Sequence, residues 1–147
     1  MAGSFTPIGD QYALNYLSGA LSTALGGASS FSVYLMLVTA TPSNLASLAT
    51  YPEVAAAGYA RQPITFGAAA LNSSTNTYQI TNSTALVYGP FTGSAGLGAA
   101  TVGGALVTTS TGTSGLPLMY WTWDSPGTAA QSSSLSIPIG AVVMGLT

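Results

Sequence analysis

Asp10, Glu53, Arg61 and Asp124 are the only ionised side chains in a chain of 147 residues that has no Lys, no His and no Cys. The chemistry open to such a set is narrow. Three carboxylates could supply the acid and nucleophile of a glycosidase, which needs two of them flanking one bond. Each has a plainer role. Asp10 precedes an apolar stripe and suits a helix N-cap, where its carboxylate accepts orphan backbone N–H groups. Glu53 follows Pro52 in a loop, and Asp124 opens the turn-forming run Asp-Ser-Pro-Gly. General acid–base catalysis most often uses His, and the Ser-His-Asp and Cys-His constellations are excluded by composition. Zinc and transition metals lose their usual ligands with Cys and His gone. No glycine loop ends in Gly-Lys-Ser/Thr to cradle a phosphate. The residues thus name no catalytic group, no cofactor and no metal site, and the expectation is a protein that is not an enzyme.

Arg61 is the single cation. Its planar guanidinium presents five donors in a rigid fork. It can grip a neighbouring subunit, or it can act as an internal clamp on Glu53 or on loop carbonyls; partners within the same domain are nearer, which favours the clamp. Tyr120, Trp121 and Trp123 also carry two readings. Alternation along a strand puts Trp121 and Trp123 on one face and Tyr120 on the other. Exposed, these rings could stack on sugars or anchor an interface. Buried, they are core, and the large apolar area of each indole favours core for the Trp pair.

The elements that hold these residues are mostly strands. Residues 1–9, with Pro7 and two glycines, read as an extended, flexible N-terminal arm. From about 11 to 25, Leu14, Leu17, Leu21 and Leu25 form one helical stripe, which Gly26-Gly27 terminates. Phe31–Val38 is an apolar run rich in strand formers, as in a central strand covered on both faces. Residues 40–57 read as a long loop with a helical turn near Leu45–Leu48. Tyr59–Phe66 follows as a strand in which Pro63 marks an edge or bulge. Further strands are expected at Thr77–Ile80, Ala85–Phe91, Ala99–Thr108, Leu116–Trp123, Ser133–Ile137 and Ala141–Leu146. Between them lie turn clusters such as Asn72–Asn76, Gly93–Gly96, Thr111–Gly115 and Ser125–Gly127. Seven or eight short strands in this pattern predict a mainly β fold, an antiparallel β-sandwich or jelly roll with one N-terminal α-helix, in which 10–147 form a single domain.

Charged residues make up 3% of the chain, against about 25% in an ordinary soluble domain. One arginine and a net charge of -2 give no pull toward nucleic acid. The longest apolar run is too short for a transmembrane helix of about 20 residues, so no membrane is expected. A surface this neutral invites association, so much of it is expected to be covered by neighbouring subunits.

One segment is more specific. Glu53-Val-Ala-Ala-Ala-Gly58-Tyr-Ala-Arg61-Gln-Pro-Ile-Thr-Phe66-Gly67 resembles the Glu…Gly-Tyr-Ala-Arg-Gln…Thr-Phe signature of small bacteriophage particle proteins of the decoration, head-fibre and tail-fibre kind. Met119-Tyr-Trp-Thr-Trp and the two strands after it are similar to the end of the same proteins, so the likeness spans most of 10–147. One departure is Gln131-Ser-Ser-Ser, where such proteins carry an aspartate-rich glycine turn. The resemblance implies a β-sandwich subunit of a virion, assembled in the host cytoplasm. The first expectation is a capsid decoration or cement protein, a homotrimer that binds the major capsid protein and stabilises the shell. The alternative is a tail-fibre or tail-tip subunit that binds the host surface.

Overall fold

The computed structural model describes residues 32–98, 101–115 and 117–145. The expected arm at 1–9, the helix at about 11–25 and the capping Asp10 lie outside the described residues. Within them the chain is mainly β, with antiparallel sheets, and divides into two compact units.

The larger unit comprises Ser32–Ile64 and Leu86–Ser136. Its central strand is β1 (Tyr34–Val38), where Leu35, Met36, Leu37 and Val38 are all fully buried. Successive side chains point to opposite faces, so burial of all four means that both faces are covered, as a continuous apolar run requires. β1 lies between β2 (Gln62–Pro63) and β6 (Thr101–Val107), and β7 (Pro117–Gly127) closes the sheet on the far side of β6. Pro63 sits on the edge strand, where a missing N–H costs no ladder bond. On one face Met36, Val38, Ala105 and Val107 pack with Leu48 and Tyr51, which a 3-10 turn at Leu48–Thr50 brings over them. The buried Tyr88 hydroxyl also reaches this strand and donates to the Leu35 carbonyl at 2.9 Å. Tyr88 belongs to β5 (Leu86–Tyr88), which forms a two-stranded sheet with β8 (Leu135–Ile137).

Two features of β6 and β7 depart from expectation. First, β7 runs through Ser125-Pro126-Gly127, so Asp124 lies in a strand and does not open a turn. The register shows how: Gly103 faces Thr122 and Thr101 faces Gly127, so β7 takes five steps where β6 takes two. The bulge leaves residues unpaired, and on an edge strand a proline is tolerated there. Second, the Trp pair is not core. Trp121 and Trp123 are half-buried on this edge strand, whereas Tyr120 packs against the core cluster and meets Tyr51 edge-to-face at 6.1 Å. Gly103 makes room for that ring, since a Cβ there would stand 3.2 Å from it and 2.5 Å from the Trp121 carbonyl oxygen. An edge strand has a covering neighbour on only one side, which limits how deeply even an indole is buried.

The smaller unit comprises Thr65–Ala85 and the chain from Ile137 onward. β3 (Ala70–Asn72), β4 (Thr77–Thr81) and β9 (Val143–Gly145) form its sheet, with β4 central. Ile80 faces Met144 across the β4–β9 pair, and both are buried. β3 was not expected, because Ala-Leu-Asn lacks β-branched and aromatic residues; its place follows from the turn Ser73–Asn76, where the Asn72 side chain accepts from the Ser74 N–H. Asn82 is fully buried and satisfied. Its amide donates to the Thr84 and Pro138 carbonyls at 2.8 and 3.0 Å, and its Oδ1 accepts from the Val142 N–H at 2.9 Å.

Candidate functional site

The polar centre of the larger unit is built by Gly58-Tyr59-Ala60-Arg61-Gln62. Gly58 adopts φ +89°, a left-handed conformation that L side chains rarely take, and a Cβ there would collide with the Pro90 carbonyl oxygen. That close approach sets the path of the segment beside β5. Tyr59 then stacks on Tyr88, with ring centroids 5.8 Å apart and planes 9° from parallel. Its hydroxyl accepts from the Leu37 N–H at 3.0 Å and donates to Glu53 Oε1 at 2.9 Å. Burial is the main reason the Tyr59 phenol is pushed far above its ordinary value; the neighbouring Glu53 charge acts in the same direction. Tyr88 is pushed up for the same reasons.

Arg61 is buried, and its guanidinium is almost fully paired. Nε and Nη2 donate to the two Glu53 carboxylate oxygens, each at 2.7 Å, and Nη1 and Nη2 donate to the carbonyls of Thr109 and Gly112 at 3.2 and 2.9 Å. The hydrogen bond to Glu53 holds the Arg61 pKa above its already high ordinary value. The fork geometry is the bidentate one that favours Arg over Lys. Glu53 itself is fixed by its backbone, which bridges to Val38 of β1. The result is a chain of bonds from the central strand, through Tyr59 and Glu53, to Arg61 and the exposed loop after β6.

This arrangement clamps and orients. Both oxygens of Glu53 are held by Arg61, so the carboxylate is poorly placed to shuttle protons. Asp124 is exposed on the bulged end of β7. Among the described residues no group of three or more His, Cys, Asp or Glu gathers to hold a metal ion, and no helix is long and apolar enough to cross a membrane. Two open grooves flank the clamp. One of about 270 Å³ is lined by Glu53, Tyr59, Arg61, Ser110, Thr111 and Gly112. The other, of about 470 Å³, lies between Ala55–Ala57 and Gly93–Gly98 and is walled mainly by small side chains and backbone. The structure brings Glu53 and Arg61 together and places Tyr120, Trp121 and Trp123 on β7. Reading the residues alone overlooked Tyr59, whose position two residues before Arg61 was the available signal, and Asn82, for which there was none.

A family model described as Podophage GP4 fiber I protein gp80 matches residues 12–145. No curated protein and no solved structure matches the chain.

Proposed function

The chain belongs to the podophage GP4 fiber I protein family, whose members are structural components of the bacteriophage virion, and on that premise we propose that it is a fibre subunit that contacts the host surface. The observation that carries this reading is the match to a fibre family over residues 12–145. It favours the fibre over the shell decoration expected first, since the family is described by its fibre. The chemistry of the larger unit agrees with a passive role: its one cation grips a carboxylate and two carbonyls of the same chain. In the particle the subunit is a closed homotrimer with a sandwich or jelly-roll core, assembled in the host cytoplasm and attached to other virion proteins. A neutral surface that invites association supports the trimer.

Copy number tests the reading. Quantitative mass spectrometry of purified particles should find a handful to a few tens of copies, and the isolated protein should compete with particles for adsorption to host cells. Hundreds of copies, together with no effect on adsorption, would return the chain to the shell.

A further inference from the structure

We infer that the groove between Glu53 and the loop Thr109–Gly112 is a binding site for a neutral polyhydroxylated ligand, a sugar unit. This rests on the reading of the chain as a host-contacting fibre and gives that contact a place. The starting point is what the Arg61–Glu53 pair holds. A buried ion pair can often be replaced by apolar residues without loss of stability, so what this pair contributes is better sought in what it orients. The part oriented here is the loop after β6, because two of the four guanidinium hydrogen bonds end on the Thr109 and Gly112 carbonyls. The Thr109 hydroxyl tightens the same loop by donating to the Thr111 carbonyl at 2.7 Å. Yet residues 110–114 are exposed and bring no apolar anchor to the core. The only cation of the chain thus fixes the shape of a solvent-facing loop.

The groove beside that loop has the chemistry of a saccharide subsite. Its volume of about 270 Å³ suits one sugar ring and is small for a protein segment. Ser110 and Thr111 contribute hydroxyls, which both donate and accept. Tyr59 contributes an aromatic wall. The Arg61 side chain is 3% exposed and that of Glu53 27%, so the charge that a ligand meets is the carboxylate. Glu53 Oε1 already accepts from Arg61 and Tyr59, whereas Oε2 accepts only from Arg61 and keeps a lone pair, a fixed charged acceptor that suits a sugar hydroxyl. An anionic ligand would face that same carboxylate and be repelled. A protein partner would need an aromatic or aliphatic anchor pocket, and the loop offers none.

The test is a titration of the full isotope-labelled chain, followed through its amide resonances, with glucose, galactose, mannose and rhamnose as neutral probes and glucuronate as the anionic one. The expected result is that at least one neutral sugar shifts the resonances of Ser110–Gly112 and Tyr59 saturably, in the millimolar range usual for single sugars on open sites, with no such shift from glucuronate. Thr111→Trp, at an exposed position outside the clamp, should abolish the shift by filling the groove. Glu53→Gln should weaken binding at least about tenfold, since it removes one charge-assisted bond to the ligand and also loosens the Arg61 grip on the loop. No saturable shift from any neutral probe would overturn the inference. So would binding that survives both substitutions, which would put the sugar elsewhere. If no sugar shifts the loop and the protein still blocks adsorption, the site fails and the fibre reading stands. If adsorption is also unaffected, both fail.

Discussion

Replacing Arg61 by Met removes the guanidinium but keeps a stem of similar length. Two charge-assisted bonds to Glu53 and two bonds to loop carbonyls vanish together. Breaking a buried pair from one side costs about 3–5 kcal/mol, most of it from the charge left behind. Here the Glu53 side chain is 27% exposed and keeps the Tyr59 hydroxyl, so water and Tyr59 recover part of its solvation. The Thr109 and Gly112 carbonyls belong to a loop that water can reach. The loss should therefore fall at the low end, about 3 kcal/mol. At about 2–4 °C per kcal/mol for a chain of this size, the melting midpoint should fall by roughly 10 °C. The double substitution Arg61→Met with Glu53→Met leaves no uncompensated charge and should recover about 2 kcal/mol relative to the sum of the single changes. It should not recover everything, because Tyr59 then loses its acceptor. Circular-dichroism melts of the four proteins decide the matter. A loss below about 1 kcal/mol for Arg61→Met, or strict additivity of the two changes, would refute the clamp as a coupled unit.

Asn82→Ala should destabilise the smaller unit by about 3 kcal/mol in urea unfolding, because two carbonyls and one N–H lose a buried partner; Asn82→Asp should not rescue it, since a carboxylate cannot donate to Thr84 and Pro138. Gly58→Ala should cost about 3 kcal/mol in the same assay, from a positive φ combined with a collision at the Pro90 carbonyl. Stability should also fall in alkali. Tyr59 and Tyr88 have folded pKa values raised above the unfolded value of 10.0, so their contribution is complete below that value and is lost as pH rises beyond it. With both unfolded-state phenols ionised, melts should show a loss of about 2–3 kcal/mol per pH unit, and two tyrosines should resist ionisation until the protein unfolds; an unchanged midpoint at pH 11 would contradict this.

The strands of the larger unit were legible because their pattern is local. Tyr34-Leu-Met-Leu-Val38 can only be covered on both faces, and Pro63 can only sit where no N–H is needed. The end of β7 was not legible, because Ser-Pro-Gly signals a turn unless an edge strand with a bulge receives it, and that depends on β6. The burial of the indoles failed for a related reason: area alone argues for the core, but position in the sheet decides it, and Trp121 and Trp123 lie at an edge. The partner carbonyls of Arg61 are 48 and 51 residues away in sequence. No spacing rule reaches that far, although a lone arginine near a lone glutamate already suggested their pairing. The resemblance rested on Gly-Tyr-Ala-Arg-Gln, and its residues have distinct structural tasks: a tight approach, a stacked bridge, a clamp and an edge pairing.

The inward use of Arg61 bears on how quickly the protein meets its partners. With Arg61 and Glu53 neutralising each other at 2.7 Å, the side-chain charge left over is that of Asp10 and Asp124. So small a charge generates almost no long-range field to guide an approaching surface, and association then proceeds near the unsteered rate of about 10⁵–10⁶ M⁻¹s⁻¹. That rate hardly changes with ionic strength, so this subunit should associate with a partner almost equally fast at low and at high salt. The strength of such an association would then rest on how many contacts form at once and on how long each one lasts.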